Sequence, residues 1–462
     1  MTTDGENNKN VATYPKPAYA WYVVVLLMFF YVLSFMDRQI IAVLIDPIKA
    51  DMNLSDVQIS LIGGVSFGLF YSLVGIFIGR LADSMNRPLL IAVGVFIWSL
   101  TTAISGLAGK FWQLLFLRMG VGLGEAALLP STLSLLTDYF PPKRLATPTS
   151  VFLLGAPIGI GLSFAAGGML FDVAQDIVAV DGWNDVAVVG GSAAWKLVLI
   201  FLGMIGMIMT LGLLTVREPR SKSSAAVEKQ AERSLKASEA ADLSDVKIYA
   251  RKHWAAIASL YVCMALVSLA AYSQAFWDIA FLSRSYGRDP STVTFMYGMV
   301  QLFAGLTGML TGGIIADRLS KRGIQGSSVI MVIVGCAISV PFSFMYPLMG
   351  SVSSALWLMV FAIFGSNMAF ACAASAMQKM FPLAMLGLAA GVYFFLSNSV
   401  GLLIGPTLVA ALTDYVLGDP NKVGISLSAV GGTARLLAFI IILTGYKAYC
   451  DLLREREAGL EG

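Results

Sequence analysis

The chain of 462 residues is 57% hydrophobic and only 13% charged, with a net charge of +3 and a mean hydropathy of +0.78. Soluble chains carry roughly 25% charged residues, so a water-soluble domain of this length is excluded. The small net charge argues against nucleic-acid binding, and a single histidine argues against a histidine-built metal site.

Residues 1–19 are polar and read as an N-terminal tail. A bilayer-spanning helix needs about 20 mostly apolar residues. Segments of that kind fall near 20–45, 57–79, 88–108, 112–137, 145–170, 195–216, 254–281, 292–316, 327–347, 353–378, 385–412 and 433–450. The first is too long for a signal-peptide core and lacks a clear cleavage pattern, so it reads as a retained span. The pattern predicts an all-α membrane protein with twelve transmembrane helices in two six-helix bundles, 20–216 and 253–450. Between them, residues 217–252 form a hydrophilic linker, either an amphipathic surface helix or a solvated tether. A short C-terminal tail, 451–462, follows the last span. Lys and Arg gather in the loops that share a side with both termini, including Arg80, Arg87, Lys143, Arg144, the linker, Arg318, Lys321, Arg322 and Lys379. The expectation is a multi-pass cell-membrane protein, in a bacterium the inner membrane, with both termini cytoplasmic. Cys263, Cys336, Cys372 and Cys450 are far apart and form no CxxC pair, so they read as packing residues.

Four charges interrupt the first and fourth spans: Asp37, Arg38, Arg118 and Glu125. An ionised side chain inside hydrocarbon costs roughly 3 kcal/mol even on lenient scales, so such residues face protein or water and mark a pathway or coupling site. Asp37 lies roughly 12 Å below one surface and Arg118 roughly 9 Å below the same one, so the two can pair. Glu125 follows Arg118 by about two turns, on the same face, among small residues. Burial raises a carboxylate pKa and a nearby arginine lowers it, so an acid whose arginine contact changes can load and release a proton. Asp37 and Glu125 are therefore expected to carry protonation, with Arg38 and Arg118 as switching partners or anchors for an anionic headgroup. A static ion-pair network locking helices one and four is the alternative. Asp278, near the end of the seventh span, reads as interfacial. Tyr31, Gln274, Asn367 and Asn398, with Phe67, Tyr393 and Phe394, are candidates to line a cavity; each serves equally well as a packing residue. No nucleophile–base pair, phosphate loop or metal cluster is present in the sequence, so neither enzymatic chemistry nor a cofactor is expected.

The halves repeat a pattern. Gly79-Arg80-Leu81-Ala82-Asp83, continuing to Arg87, follows the second span, and Gly313-Ile314-Ile315-Ala316-Asp317-Arg318 follows the eighth. Glycine lets a helix end approach its neighbour, and the Asp can pair with an arginine or a helix amino terminus. Asp138 is a candidate partner for Arg87. In the fifth span, Gly155, Pro157 and Gly159 give a bendable helix.

The paired Gly-x-x-x-Asp loops resemble the signature of the major facilitator superfamily over nearly the whole chain. The first copy departs from the usual pattern at Ser84 and Asn86, the second at Ser320. More specifically, Ser34-Phe35-Met36-Asp37-Arg38, Arg118-x-x-x-Gly122-x-Gly124-Glu125-Ala126 and Asp138-Tyr139-Phe140-Pro141 resemble the Spinster branch, the sphingosine-1-phosphate and lysolipid transporters. The resemblance implies proton-linked secondary transport of an amphiphilic anion by a monomer among membrane lipids, with small organic anions or drugs as the alternative cargo. It also implies a hydrated cavity between the halves lined by Asp37, Arg38, Arg118 and Glu125. The repeated loops are implied to be latches: Asp83 against the eleventh helix near Met385, and Asp317 against the fifth near Leu145.

Overall fold

The computed structural model describes residues 14–141, 144–180, 193–219, 243–288 and 290–460. The rest of the N-terminal tail, most of the loop after residue 180, and the middle of the linker lie outside the described residues. Among the described residues, twelve helices are long and apolar enough to cross a membrane. In chain order they are α1 (Pro17–Val43), α2 (Asp56–Gly75), α3 (Arg87–Ser105), α4 (Phe111–Tyr139), α5 (Thr147–Val178) and α6 (Ala194–Thr215). The second half has α7 (Trp254–Tyr286), α8 (Ser291–Lys321), α9 (Ser327–Leu348), α10 (Val352–Met380), α11 (Met385–Leu417) and α12 (Pro420–Ala458). The described end of the linker forms a helix, Leu243–Lys252, leading into α7.

Most ends fall within a few residues of the hydropathy boundaries, and two do not. α5 runs on to Val178, so Asp172 and Asp176 stand on a helix rather than in a loop. α12 begins at Pro420 and the helix continues to Leu460, so the described part of the tail is helical. Buried Leu452 there packs against the second half's core, which holds the extension in place.

Prolines divide two of the spans. Pro130 cannot donate to the carbonyl of Ala126, and α4 breaks at Ala126–Ala127, directly after Glu125. Pro157 has the same relation to Leu153, and α5 breaks at Leu154. Gly155 and Gly159 lie just beyond that break against α1. A Cβ on Gly155 would sit 2.8 Å from the Met28 carbonyl, and one on Gly159 would sit 2.5 Å from that of Val32. Both glycines are therefore needed for close packing of α1 on α5.

Within each half, one crossing is built from a reciprocal glycine pair. A Cβ on Gly94 of α3 would lie 2.7 Å from the Gly124 carbonyl of α4, and the converse approach would be 2.6 Å. Gly335 of α9 and Gly365 of α10 repeat the arrangement, at 2.5 Å in both directions. The close approach brings backbones together where lipid offers no hydrophobic drive for association.

The halves meet mainly toward the end remote from the chain termini. There α2 packs on α11 and α5 on α8: a Cβ on Gly64 would lie 2.6 Å from the Leu402 carbonyl, and one on Gly298 2.5 Å from the Ala165 nitrogen. Toward the terminus-bearing end the halves part. A Cβ on Gly75, Gly313, Gly387 or Gly391 would meet nothing within 4 Å. The molecule is closed at one end and open at the other.

Candidate functional site

Asp37 and Arg38 are consecutive on α1, so their side chains leave the helix about 100° apart. That difference separates the four charges into two pairs. Asp37 turns into the first bundle, where Arg118 of α4 donates from Nη1 to Oδ1 at 3.0 Å and from Nη2 to the Asp37 carbonyl at 3.2 Å. Thr102 of α3 donates to Oδ2. Asp37 is 1% exposed and Arg118 0%. This pair is sealed among α1, α3 and α4, and does not line the space between the halves as the sequence had led us to expect.

Arg38 turns the other way. Its Nη2 donates to Glu125 Oε2 at 2.8 Å, and Ser34 Oγ donates to the same oxygen at 2.8 Å. The guanidinium carbon lies over the rings of Phe35, Phe67 and Tyr71, 4.6, 4.6 and 4.7 Å from their centroids. Three ring faces around one cation replace part of the water it has lost. Glu125 Oε1 and Arg38 Nε have no hydrogen-bond partner among the described residues. Arg38 borders a narrow gap whose other walls are Gln39 and Gly63 from the first half and Tyr272, Phe276, Leu402 and Pro406 from the second. The Arg38–Glu125 pair therefore stands at the seam between the halves.

The other candidates divide. Tyr31 lies about two turns from Arg38 along α1 and stacks on Phe152, with centroids 4.7 Å apart. Asn398 of α11 accepts from the Tyr272 hydroxyl at 3.1 Å, which ties it to the seam opposite Arg38. Tyr272 itself went unmarked in the sequence. Asn367 of α10 donates to its own helix at the Ile363 carbonyl, 3.0 Å away, and faces Gly305 of α8, apart from the central charges. Tyr393 is 3% exposed and sets its ring edge-on to Tyr261 inside the second bundle, so it is a packing residue here.

Arg87, at the start of α3, is fully buried. It pairs with Asp138 at 2.6 Å, as the sequence suggested, and with Glu218 at 2.5 Å. It also donates to the Ser134 carbonyl at 2.8 Å. Glu218 was missed because it lies just beyond the sixth span, among linker charges. Arg87→Ala should lower stability by about 2–3 kcal/mol, since two partly buried carboxylates lose their cation. A thermal melt of the purified protein checks this, and an unchanged midpoint would show that the cluster is only solvated. Asp317 and Arg318 are exposed at the end of α8, and Gly313 faces open space. The second repeated loop is thus unengaged with α5 in this conformation. The side chain of Asp83, with Gly79, lies outside the described residues.

Asp278 is not interfacial. It is 0% exposed and accepts from the Tyr346 hydroxyl at 2.7 Å. A cation the sequence reading passed over, Arg435 of α12, is 1% exposed nearby. A further unread feature closes the far end. Arg284, at the end of α7, donates to Asp46 at 2.7 Å and to both oxygens of Asp56, at 2.9 and 3.0 Å. Lys49 also pairs with Asp56. Asp414 of α11 accepts from the Val57 backbone N–H at 2.8 Å, capping the start of α2. These contacts clasp the two halves to each other.

Comparison with known proteins places the chain. It is 27% identical over 433 residues to an MFS-type efflux pump of Mycolicibacterium smegmatis, covering 94% of this chain and 92% of that protein. It is 27% identical over 338 residues to protein spinster homolog 1 of Xenopus tropicalis, covering 70% of this chain and 59% of that protein's length. The fold matches the crystal structure of a bacterial homologue of the human lysosomal transporter Spinster, in an inward-facing and unoccupied conformation. That match has a TM-score of 0.75 at 24% identity, covering 95% of this chain and 98% of the other. The profile of the Major Facilitator Superfamily matches residues 27–406. With twelve spans in two halves and that match, the chain belongs to the Major Facilitator Superfamily and is a membrane transporter, not an enzyme.

Proposed function

We propose that this transporter moves an amphiphilic, lipid-like anion of the lysolipid or sphingoid phosphate class, coupled to protons through Glu125 with Asp37 behind it. The observation that carries the reading is the state of Arg38: a buried cation at the seam, held by one carboxylate and ringed by aromatic faces. An anionic headgroup and ionised Glu125 compete for the same guanidinium. Protonating Glu125 removes one competitor and frees Arg38 for the headgroup, so proton and anion occupy the site together without leaving a net buried charge. Phe35, Phe67 and Tyr71 then present apolar surface to the adjoining chain of the cargo. Asp37 and Arg118 form the relay's inner pair. The proposed setting is the bacterial inner membrane, with both termini cytoplasmic by the loop charge bias, the open end facing the cytoplasm and the monomer as the working unit.

A second reading, transport of small organic anions or drugs on the same charges, is favoured by the likeness to an efflux pump. Reconstituted vesicles separate the two. Flux of labelled sphingosine-1-phosphate or lysophosphatidate should fall at least tenfold when the pH gradient is collapsed, and again in Glu125→Gln. Gradient-dependent flux of a soluble organic acid, with none of either lipid, would replace the first reading by the second.

A further inference from the structure

The second half holds a buried acid and a buried base that the coupling scheme above does not use. Asp278 lies about 12 Å from the end of α7 and is fully enclosed. Tyr346, at the end of α9, donates to its Oδ1 at 2.7 Å. The Tyr297 hydroxyl of α8 also faces the carboxyl group, and accepts from Gln301 at 2.6 Å. Oδ2 has no partner.

On the neighbouring α12, Arg435 forms no ion pair among the described residues. It donates from Nε to Ser366 Oγ at 3.1 Å and from Nη2 to Oε1 of Gln274, while Nη1 has no partner. Gln274 precedes Asp278 by four residues on α7 and so stands one turn away on the same face. The groups facing Asp278 are thus Tyr346 from α9, Tyr297 from α8 and Arg435 from α12. Tyr346 satisfies one carboxyl oxygen, and the other has no partner among the described residues. An ionised carboxylate buried without a contacting cation costs several kcal/mol, and so does a guanidinium held only by neutral oxygens.

We propose that Asp278 is a second proton-binding site of this transporter, protonated in the present conformation and discharged when Arg435 leaves Gln274 to pair with it. In that step the O–H bond of Asp278 breaks, the proton passes to water, and the carboxylate takes the guanidinium as its counter-ion. Arg435 keeps its charge throughout. The move spans one helical turn, within reach of an arginine pivoting about its aliphatic stem. The site stands apart from Glu125, so it does not rest on the coupling scheme proposed above.

Infrared difference spectroscopy of the full chain in lipid vesicles tests this without any cargo. At neutral pH the wild-type protein should show a protonated-carboxyl carbonyl band that disappears in Asp278→Asn. Tyr346→Phe should shift that band to higher frequency through loss of a hydrogen bond, and it reads the same group should Asp278→Asn fail to fold. Raising the pH should remove the band in wild type but not in Arg435→Gln. If neither Asp278→Asn nor Tyr346→Phe alters the carboxyl region, the proton site is refuted. If the band titrates identically in Arg435→Gln, the exchange with Arg435 is refuted.

Discussion

Arg118→Ala is expected to lower the stability of the transporter by about 3–5 kcal/mol, because it strands the carboxylate of Asp37 in a sealed pocket without its cation. The geometry makes the loss specific. Arg118 touches both the carboxylate and the backbone of Asp37, and neither residue is more than 1% exposed. Removing both charges together, as Asp37→Leu with Arg118→Met, should restore most of the melting temperature, since well-packed apolar residues often replace a buried pair at no cost. The double variant therefore divides two roles that a single substitution confounds. If the pair only locks α1 to α4, the double variant transports with unchanged pH dependence. The coupling scheme requires instead that the double variant folds yet loses proton-dependent flux, and retained coupling would remove Asp37 from the scheme.

Arg284→Gln is the second change with a large expected effect, acting on conformation rather than on folding. Arg284 reaches across from α7 to Asp46 and Asp56 of the first half, and Asp56 is wholly buried. Charge-assisted hydrogen bonds of this kind contribute about 1.5–3 kcal/mol. Because they exist only while this end is shut, their loss should raise the population open at this end roughly tenfold to a hundredfold. Spin labels at Asn53 and Gly418, in the loops flanking the clasp, would report a longer distance in Arg284→Gln than in the parent. Superimposable distance distributions would show that the glycine contacts of α2 with α11 and of α5 with α8 hold the end closed by themselves.

The fold was legible because lipid imposes a length and a hydropathy on every span, and because the Gly-x-x-x-Asp loops recur at matched places. The Asp37–Arg118 pair was legible too, since depth along two antiparallel helices follows from counting residues. What escaped was whatever depends on which helices are neighbours. Arg435 was passed over because the twelfth apolar segment was placed near 433–450, whereas α12 starts at Pro420 and places that arginine well within the helix. Asp278 looked interfacial because nothing in its own segment announces Tyr346, 68 residues away. The partners of Arg284 lie 228 and 238 residues away, in the other half, and charges at a helix end read locally as topology signals. Tyr393, open to either role from the sequence, lies in the core against Tyr261.

The reciprocal glycine crossings carry an implication for how such a molecule came to couple two events. Gly94 and Gly124 are separated by the same stretch of chain as Gly335 and Gly365, so the crossings occupy equivalent points of the two halves. The residue after Gly124 is Glu125, and the residue after Gly365 is Ser366. One half carries an acid where the other carries a hydroxyl, which in turn holds Arg435. A pseudo-twofold frame lets either bundle tilt as the counterpart of the other. Under the proposed coupling through Glu125, divergence at a single equivalent position is then enough to make that tilting answer to a proton.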